Sequence, residues 1–244
     1  MRKNYLIPET YLIMIVDDEE IVRLISKIIL ESYGYKVIDF SNSFEALEYY
    51  QEHYREVDVV ILDMVMPIMN GDSLFYELKK INPFIVACVL SGYDNVKTRY
   101  EHLLNEGLYC ILTKPINGDL ISMEIWEMLK RTQTINIDKG LSLIINNEHA
   151  YLRLLKVYLE EYGNIEVEFN DLIKQDKLSD IDNVIHKIKG IAMNLGAEEL
   201  YKKACSLHQK YYDKQYDIKE LYEFIKYHNY LTKDIKRILG AQVV

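Results

Sequence analysis

Five short, β-rich apolar runs recur along the first half of the chain: Leu12–Val16, Lys36–Phe40, Val57–Leu62, Ile85–Leu90 and Cys110–Thr113. Between them, apolar residues return every three or four positions over Glu20–Ser32, Phe44–His53, Ser73–Ile81, Asn95–Asn105 and Asp119–Arg131, the spacing of amphipathic helices. Strict strand–helix alternation predicts an α/β doubly wound five-stranded parallel sheet. Val57–Leu62 is nearly continuous in apolar residues, as a central strand covered on both faces should be. Ser43, Asp72, Asp94 and Asn117 stand where helix N-caps are needed, and Gly34 and Gly107 where helices must stop.

The pattern then changes. From Thr132 to Ile137 no apolar period is present, which predicts a short linker over 132–137 and a first domain over 10–131. Beyond it every segment has helical spacing: a lead-in from Asp138, then Glu148–Tyr162, Val167–Asp176, Asp180–Leu195, Glu198–Tyr212 and Ile218–Leu239. Leu152, Leu155, Leu159 and Tyr162 mark one buried face of the second of these. With no proline after Pro115 and breaks at Gly163 and Gly196, the second domain, 138–240, reads as an all-α helical bundle.

Charge sharpens the division. Residues 1–130 hold 12 Lys and Arg against 21 Asp and Glu, whereas the remainder holds 17 of each. Neither half offers the positive balance that phosphate-backbone binding exploits, so nucleic acid is not an expected partner. No apolar run reaches the ~20 residues of a membrane span, and the opening stretch meets Asp17 too early for a secretory signal, so the chain is expected in the cytoplasm without membrane insertion. Cys88, Cys110 and Cys205 lack metal-ligand spacing and read as reduced core thiols. The 21 tyrosines, against 6 phenylalanines, read as amphipathic rings at half-buried bundle positions.

Candidate chemistry gathers at strand ends. Asp17 and Asp18 end the first strand, Asp63 the third, Ser91 the fourth and Lys114 the fifth. With strand order 2-1-3-4-5, all five converge at the carboxyl edge of the sheet, where open α/β folds bind ligands. Clustered carboxylates favour a hard divalent cation such as Mg²⁺. A lysine and a hydroxyl beside them suit the charge of a transferring phosphoryl group, and an aspartate there can become an acyl phosphate.

The stretches IVDD (15–18), VVILDMVMPIMNGDSL (59–74), VLSGY (89–93) and LTKPI (112–116) resemble the response-regulator receiver domain. That resemblance implies Asp63 as phosphoacceptor, Asp18 as direct Mg²⁺ ligand with Asp17 acting through water, and the backbone carbonyl of Val65 as a further ligand. It also implies Ser91 and Lys114 on the phosphoryl oxygens, Pro67 and Gly71 in the turn after the acceptor, and a cis Lys114–Pro115 bond. One departure stands out: the family's aromatic switch residue is replaced by Ile111, with Tyr109, two residues earlier on the same side of the strand, as a substitute.

Of six histidines, His53, His102, His149 and His208 are expected on helix surfaces, and His228 as a satisfied core or boundary residue. His186 differs. Ile181, Val184, Ile185, Ile188, Ala192 and Leu195 form one buried stripe, and His186 lies about 140° from its centre, facing solvent. Lys189 and Gly190 flank it on the next turn. A helix-interior glycine costs roughly 1 kcal/mol against alanine; close approach of a partner's active site supplies a reason. A neutral imidazole is a competent nucleophile near pH 7.

The segment HKIKGIAMNLGAEEL (186–200), with the helical lead-in from Asp138, is similar to the histidine-containing phosphotransfer (HPt) domain, with Ile188 in place of a leucine. The resemblance implies that His186 carries a phosphoryl group, that Lys189 helps neutralise it, and that the bundle borrows a receiver's Mg²⁺ site. Together the two halves suggest a two-component phosphorelay protein. Asp63 would be charged in a Mg²⁺-dependent reaction by a sensor histidine kinase or another phosphohistidine donor, and His186 would exchange phosphoryl with a receiver domain. Mg²⁺-dependent self-phosphorylation and dephosphorylation at Asp63 would be its only catalysis, since no length remains for a kinase domain. The alternative is a phosphorylation-switched protein-interaction module in which His186 carries no phosphate.

Overall fold

The computed structural model describes residues 10–92 and 96–240, with the backbone alone over 96–100 and 131–132. The chain divides into two compact units, with the boundary between Thr132 and Gln133.

In the first unit the elements run β1 (Leu12–Val16), α1 (Glu20–Ser32), β2 (Lys36–Phe40), α2 (Ser43–His53), β3 (Val57–Asp63), α3 (Gly71–Ile81), β4 (Ala87–Ser91), α4 (Val96–Asn105), β5 (Cys110–Thr113) and α5 (Gly118–Thr132). The five strands form one parallel sheet in the order β2-β1-β3-β4-β5. Alternation along the strands sorts the core into two layers. Met14, Val16, Val60 and Leu62 pack with Ala46, Tyr50, Leu74, Phe75, Leu78 and Leu103 of α2, α3 and α4. Ile13, Ile15, Val59 and Ile61 face the other way, toward Leu30 of α1 and Ile121, Ile125 and Met128 of α5, with the half-buried Trp126 against the same layer. Both faces of the sheet are therefore covered, which is why β3 carries no polar alternation.

Two caps fall elsewhere than the sequence predicts. Asn42, not Ser43, caps α2 by accepting from the Phe44 N–H. Ser43 is buried and donates to the Met69 carbonyl instead. Helix α3 starts two residues before Ser73, at Gly71, so Asp72 lies inside its first turn. Asn117 does cap α5, accepting from Leu120 N–H, and Gly34 and Gly107 adopt the positive φ of helix stops. Asp94 lies outside the described residues.

The second unit is helical throughout: α6 (Ile137–Leu143), α7 (Glu148–Tyr162), α8 (Ile165–Lys174), α9 (Leu178–Leu195), α10 (Glu198–Tyr212) and α11 (Ile218–Gly240), around one core. The expected linker is largely part of this bundle. Ile135 is buried in its core. Thr134 donates from N–H and Oγ1 to Asp234 Oδ2, at 2.9 and 2.7 Å, and Asn136 N–H bonds to the Gly196 carbonyl. Three residues without helical period still dock through one apolar side chain and three hydrogen bonds, neither of which periodicity detects. The buried face of α7 is also turned from the expected one: Tyr151, Leu155 and Tyr158 are the fully buried residues, with Leu152, Leu159 and Tyr162 at its edges. The Tyr151 hydroxyl reaches through the core to donate to the Leu195 carbonyl at 2.7 Å, which lets a tyrosine occupy a core position.

Among the described residues, no helix is long and apolar enough to cross a membrane. Cys88 is buried, while Cys110 and Cys205 are half-buried; all three are free thiols.

Candidate functional site

Parallel register aligns the carboxyl ends of the strands: Asp63 of β3 pairs with Leu90, and Ser91 of β4 with Thr113. Asp17 follows β1 and Lys114 follows β5, and the side chains of Asp17, Asp18, Asp63 and Lys114 come together at this edge. Asp17, Asp18 and Asp63 each present a carboxylate oxygen, all within 4.8 Å of one another; Asp17 and Asp63 are buried and Asp18 is exposed. The Lys114 ammonium lies 2.9 Å from Asp17 Oδ2, 3.0 Å from Asp63 Oδ1 and 3.4 Å from Glu19 Oε1. Glu19 was not anticipated from the sequence; its N–H also donates to Asp17 Oδ1, tying the loop after β1 to the cluster.

Burial pushes the Asp63 carboxyl above its usual range, Lys114 opposes this, and the Asp17 charge adds to it. Burial works against the Lys114 ammonium, but its bonds to Asp17 and Asp63 outweigh that and hold its pKa above the ordinary lysine value. One ammonium among three carboxylates leaves the cluster net negative, a donor set of hard oxygens that fits Mg²⁺.

The Ser91 hydroxyl is buried and has no hydrogen-bond partner among the described residues. Leaving such a group open costs about 1–3 kcal/mol, and a phosphoryl oxygen would satisfy it. The Lys114–Pro115 bond is cis. Val65 is exposed in the stretch that leaves β3. Gly71 sits behind the acceptor: a Cβ there would lie 2.2 Å from the Asp63 carbonyl oxygen, so only glycine allows α3 to start so close to β3. Tyr109 does not take the place of Ile111. It precedes β5, where strand alternation does not apply, and packs in the α1/α5 layer, while Ile111 packs in the opposite one.

In the bundle, Ile181, Ile185, Ile188, Ala192 and Leu195 are buried as the stripe predicts, with Val184 half-buried. His186 is exposed and Lys189 half-buried, and a Cβ at Gly190 would meet nothing within 4 Å. His208 departs from expectation. It is half-buried rather than on the surface; its Nε2 lies 3.1 Å from His186 Nδ1, and its Nδ1 lies 2.8 Å from Asp182 Oδ1. Asp182, which sequence reasoning missed, is buried within α9.

His102 and His149 are exposed. His53 is half-buried, bonds through Nδ1 to the Tyr49 carbonyl and stacks on the Tyr49 ring. His228 is in the core but not satisfied: neither ring nitrogen has a hydrogen-bond partner among the described residues, and burial pushes its pKa down to about 3.

Comparison with known proteins finds relatives of the first unit. Residues 13–125 match the family described as the response regulator receiver domain. The sensor kinase CckA of Brucella abortus (strain 2308) is 35% identical over 119 residues, 49% of this chain and 12% of that protein. The transcriptional regulatory protein ZraR of Klebsiella oxytoca is 31% identical over 121 residues, 50% of this chain and 27% of that protein. A solved receiver domain protein from Clostridium thermocellum is 31% identical, with a TM-score of 0.47 over 50% of this chain and 95% of that one. The chain spans less than a third of either curated relative. Because relatives of this kind include proteins named as transcriptional regulators, the expectation that nucleic acid is no partner rests on charge alone. Residues 13–125 are thus a response regulator receiver domain of the two-component type.

Proposed function

We propose that the chain is a phosphorelay protein in which Asp63 accepts a phosphoryl group and His186 carries one. The observation that carries the first half is the Lys114 ammonium bridging Asp17 and Asp63 beside the open Ser91 hydroxyl. An Asp63 carboxylate oxygen attacks phosphorus of a phosphohistidine donor such as a sensor histidine kinase; the O–P bond forms, and the P–N bond breaks with its electron pair leaving on the imidazole. Lys114 and Ser91 meet the phosphoryl oxygens as charge develops on them. Asp17, Asp18, Asp63 and the Val65 carbonyl would hold Mg²⁺, which supplies positive charge to the entering group.

The second half rests on the open flank of His186. Apart from the backbone of its own helix turn, no described atom lies within 4 Å of a Cβ at Gly190, so packing against other elements does not explain this helix-interior glycine, while contact with a partner's active site does. On this reading the bundle, from residue 133, is an HPt-type carrier working in the cytoplasm, and His186 exchanges its phosphoryl group with a receiver domain, Lys189 standing near to offset the charge.

The test is labelling of the intact chain by a phosphorylated histidine kinase. Acid-stable, base-labile label on Asp63 is expected, abolished by Asp63→Asn or by chelation of Mg²⁺. Acid-labile label on His186 is expected after addition of a phosphorylated receiver, abolished by His186→Gln. Label unaffected by Asp63→Asn would overturn the first assignment, and label unaffected by His186→Gln the second.

A further inference from the structure

Behind the exposed imidazole of His186 lies a chain of polar groups that the motif around it does not require. Asp182 stands one turn earlier on α9, with its side chain 5% exposed. His208 enters from α10, its side chain 16% exposed, with the Tyr212 ring edge-on to it at 5.0 Å. Two hydrogen bonds join the three: Asp182 Oδ1 to His208 Nδ1 at 2.8 Å, and His208 Nε2 to His186 Nδ1 at 3.1 Å.

The direction of this chain follows from its buried end. An ionised carboxylate only accepts, so Asp182 holds the His208 proton on Nδ1 and leaves the His208 Nε2 lone pair as acceptor. With His208 neutral, His186 donates from Nδ1 and its own Nε2 stays unprotonated. A carboxylate behind a histidine sets ring tautomer and orientation in this way, and here the effect passes through one further imidazole. A buried carboxylate without a cation is costly unless hydrogen-bonded; its bond to His208 both relieves that cost and aligns the pair.

We infer that Asp182 and His208 are positioning residues that fix His186 in the tautomer with a free Nε2 and take up its Nδ1 proton when Nε2 is phosphorylated. The inference rests on the carrier reading of His186. The step balances. The Nε2 lone pair attacks phosphorus of a receiver's aspartyl phosphate; the N–P bond forms, and the P–O bond breaks with its electron pair leaving on the aspartate carboxylate. The ring would then carry positive charge beside the new phosphoryl group; its Nδ1 proton moves to His208 Nε2, and Asp182 balances the resulting imidazolium. In reverse transfer the proton returns and restores a neutral leaving group.

The test uses the full chain carrying Asp63→Asn, with phosphoramidate as phosphoryl donor and phosphate on His186 followed by peptide mapping. In parallel, nitrogen-15 spectra of the histidine rings read the tautomers in the otherwise unaltered protein. A His186 ring protonated on Nδ1 and bare on Nε2 is expected. Asp182→Asn, whose amide can donate to His208 and reverse the chain, and His208→Phe, which removes it, are each expected to slow labelling of His186 10-fold or more; general-base assistance reaches about 10²–10⁴-fold. In Asp182→Asn the bare Nε2 of His186 is expected to become protonated. A wild-type ring with its proton on Nε2, or labelling at unchanged rate in both variants, overturns the relay while leaving His186 a carrier. A wild-type ring that takes no label overturns the carrier reading, and the relay's part in transfer with it.

Discussion

A methyl group at Gly71 would press on the carbonyl of the residue proposed to accept phosphate, so the first turn of α3 and the end of β3 must move apart to admit it. Gly71→Ala is therefore expected to destabilise the receiver unit by about 2–3 kcal/mol and to slow acetyl phosphate labelling of Asp63 by roughly 10-fold or more, about 1.4 kcal/mol in barrier. Urea unfolding and mass spectrometry of the intact chain check both. His228 offers a residue-scale test of a different kind. In the folded bundle burial pushes its pKa down to about 3, against 6.5 for an ordinary histidine. Between these values the unfolded chain holds one proton more than the folded one, so stability falls as pH falls through that window, by up to about 1.4 kcal/mol per pH unit from this group. His228→Leu is expected to flatten the urea-midpoint profile of the bundle between pH 6.5 and 4.5; an unchanged slope would mean that His228 finds a partner. At this scale, the candidate site residues at strand ends were legible because position in a parallel strand fixes where a side chain emerges. Asp182 and His208 were not, because a bond between neighbouring helices joins residues 26 apart in sequence and leaves no local period.

Among the elements, α9 makes two opposite demands on one helix. Its buried stripe holds the bundle together, and its outer face keeps His186 accessible. Gly190→Ala separates the two. With open space around the new methyl group and a better helix former in place, the bundle is expected to gain up to about 1 kcal/mol, while phosphoryl exchange between His186 and a partner receiver slows. A thermal melt together with a timed transfer assay reads both changes, and transfer at the wild-type rate would remove the proposed reason for the glycine. Strands and helices themselves were readable from period, since five β/α alternations admit few arrangements. Their ends were not: the α2 cap passed from Ser43 to Asn42 because Ser43 was drawn to the Met69 carbonyl, a contact from another loop. Residues 134–136 looked like linker for a similar reason, since one buried isoleucine and three hydrogen bonds to α11 and the end of α9 bind them, and so short a stretch carries no period to read.

For the whole molecule, the separation of cores matters most. The two layers of the receiver unit and the single core of the bundle share no residue. Residues 6–132 and 133–244 are therefore each expected to fold when produced alone, with cooperative unfolding and a circular dichroism spectrum that sum to those of the intact chain; aggregation of either piece would contradict this. The charge asymmetry follows the same boundary, with an acidic receiver unit and a balanced bundle. Only part of that acidity belongs to the Asp17, Asp18 and Asp63 cluster, because most of the acidic side chains lie on helix surfaces. The same division gives the molecule an optical label. Its one tryptophan, Trp126, packs half-buried against the α1/α5 layer, whereas the bundle absorbs through tyrosine. Emission excited at the red edge of indole absorption thus comes from the receiver half alone, and in the intact chain it reports melting, or phosphorylation-linked rearrangement, of that half without any dye or cut.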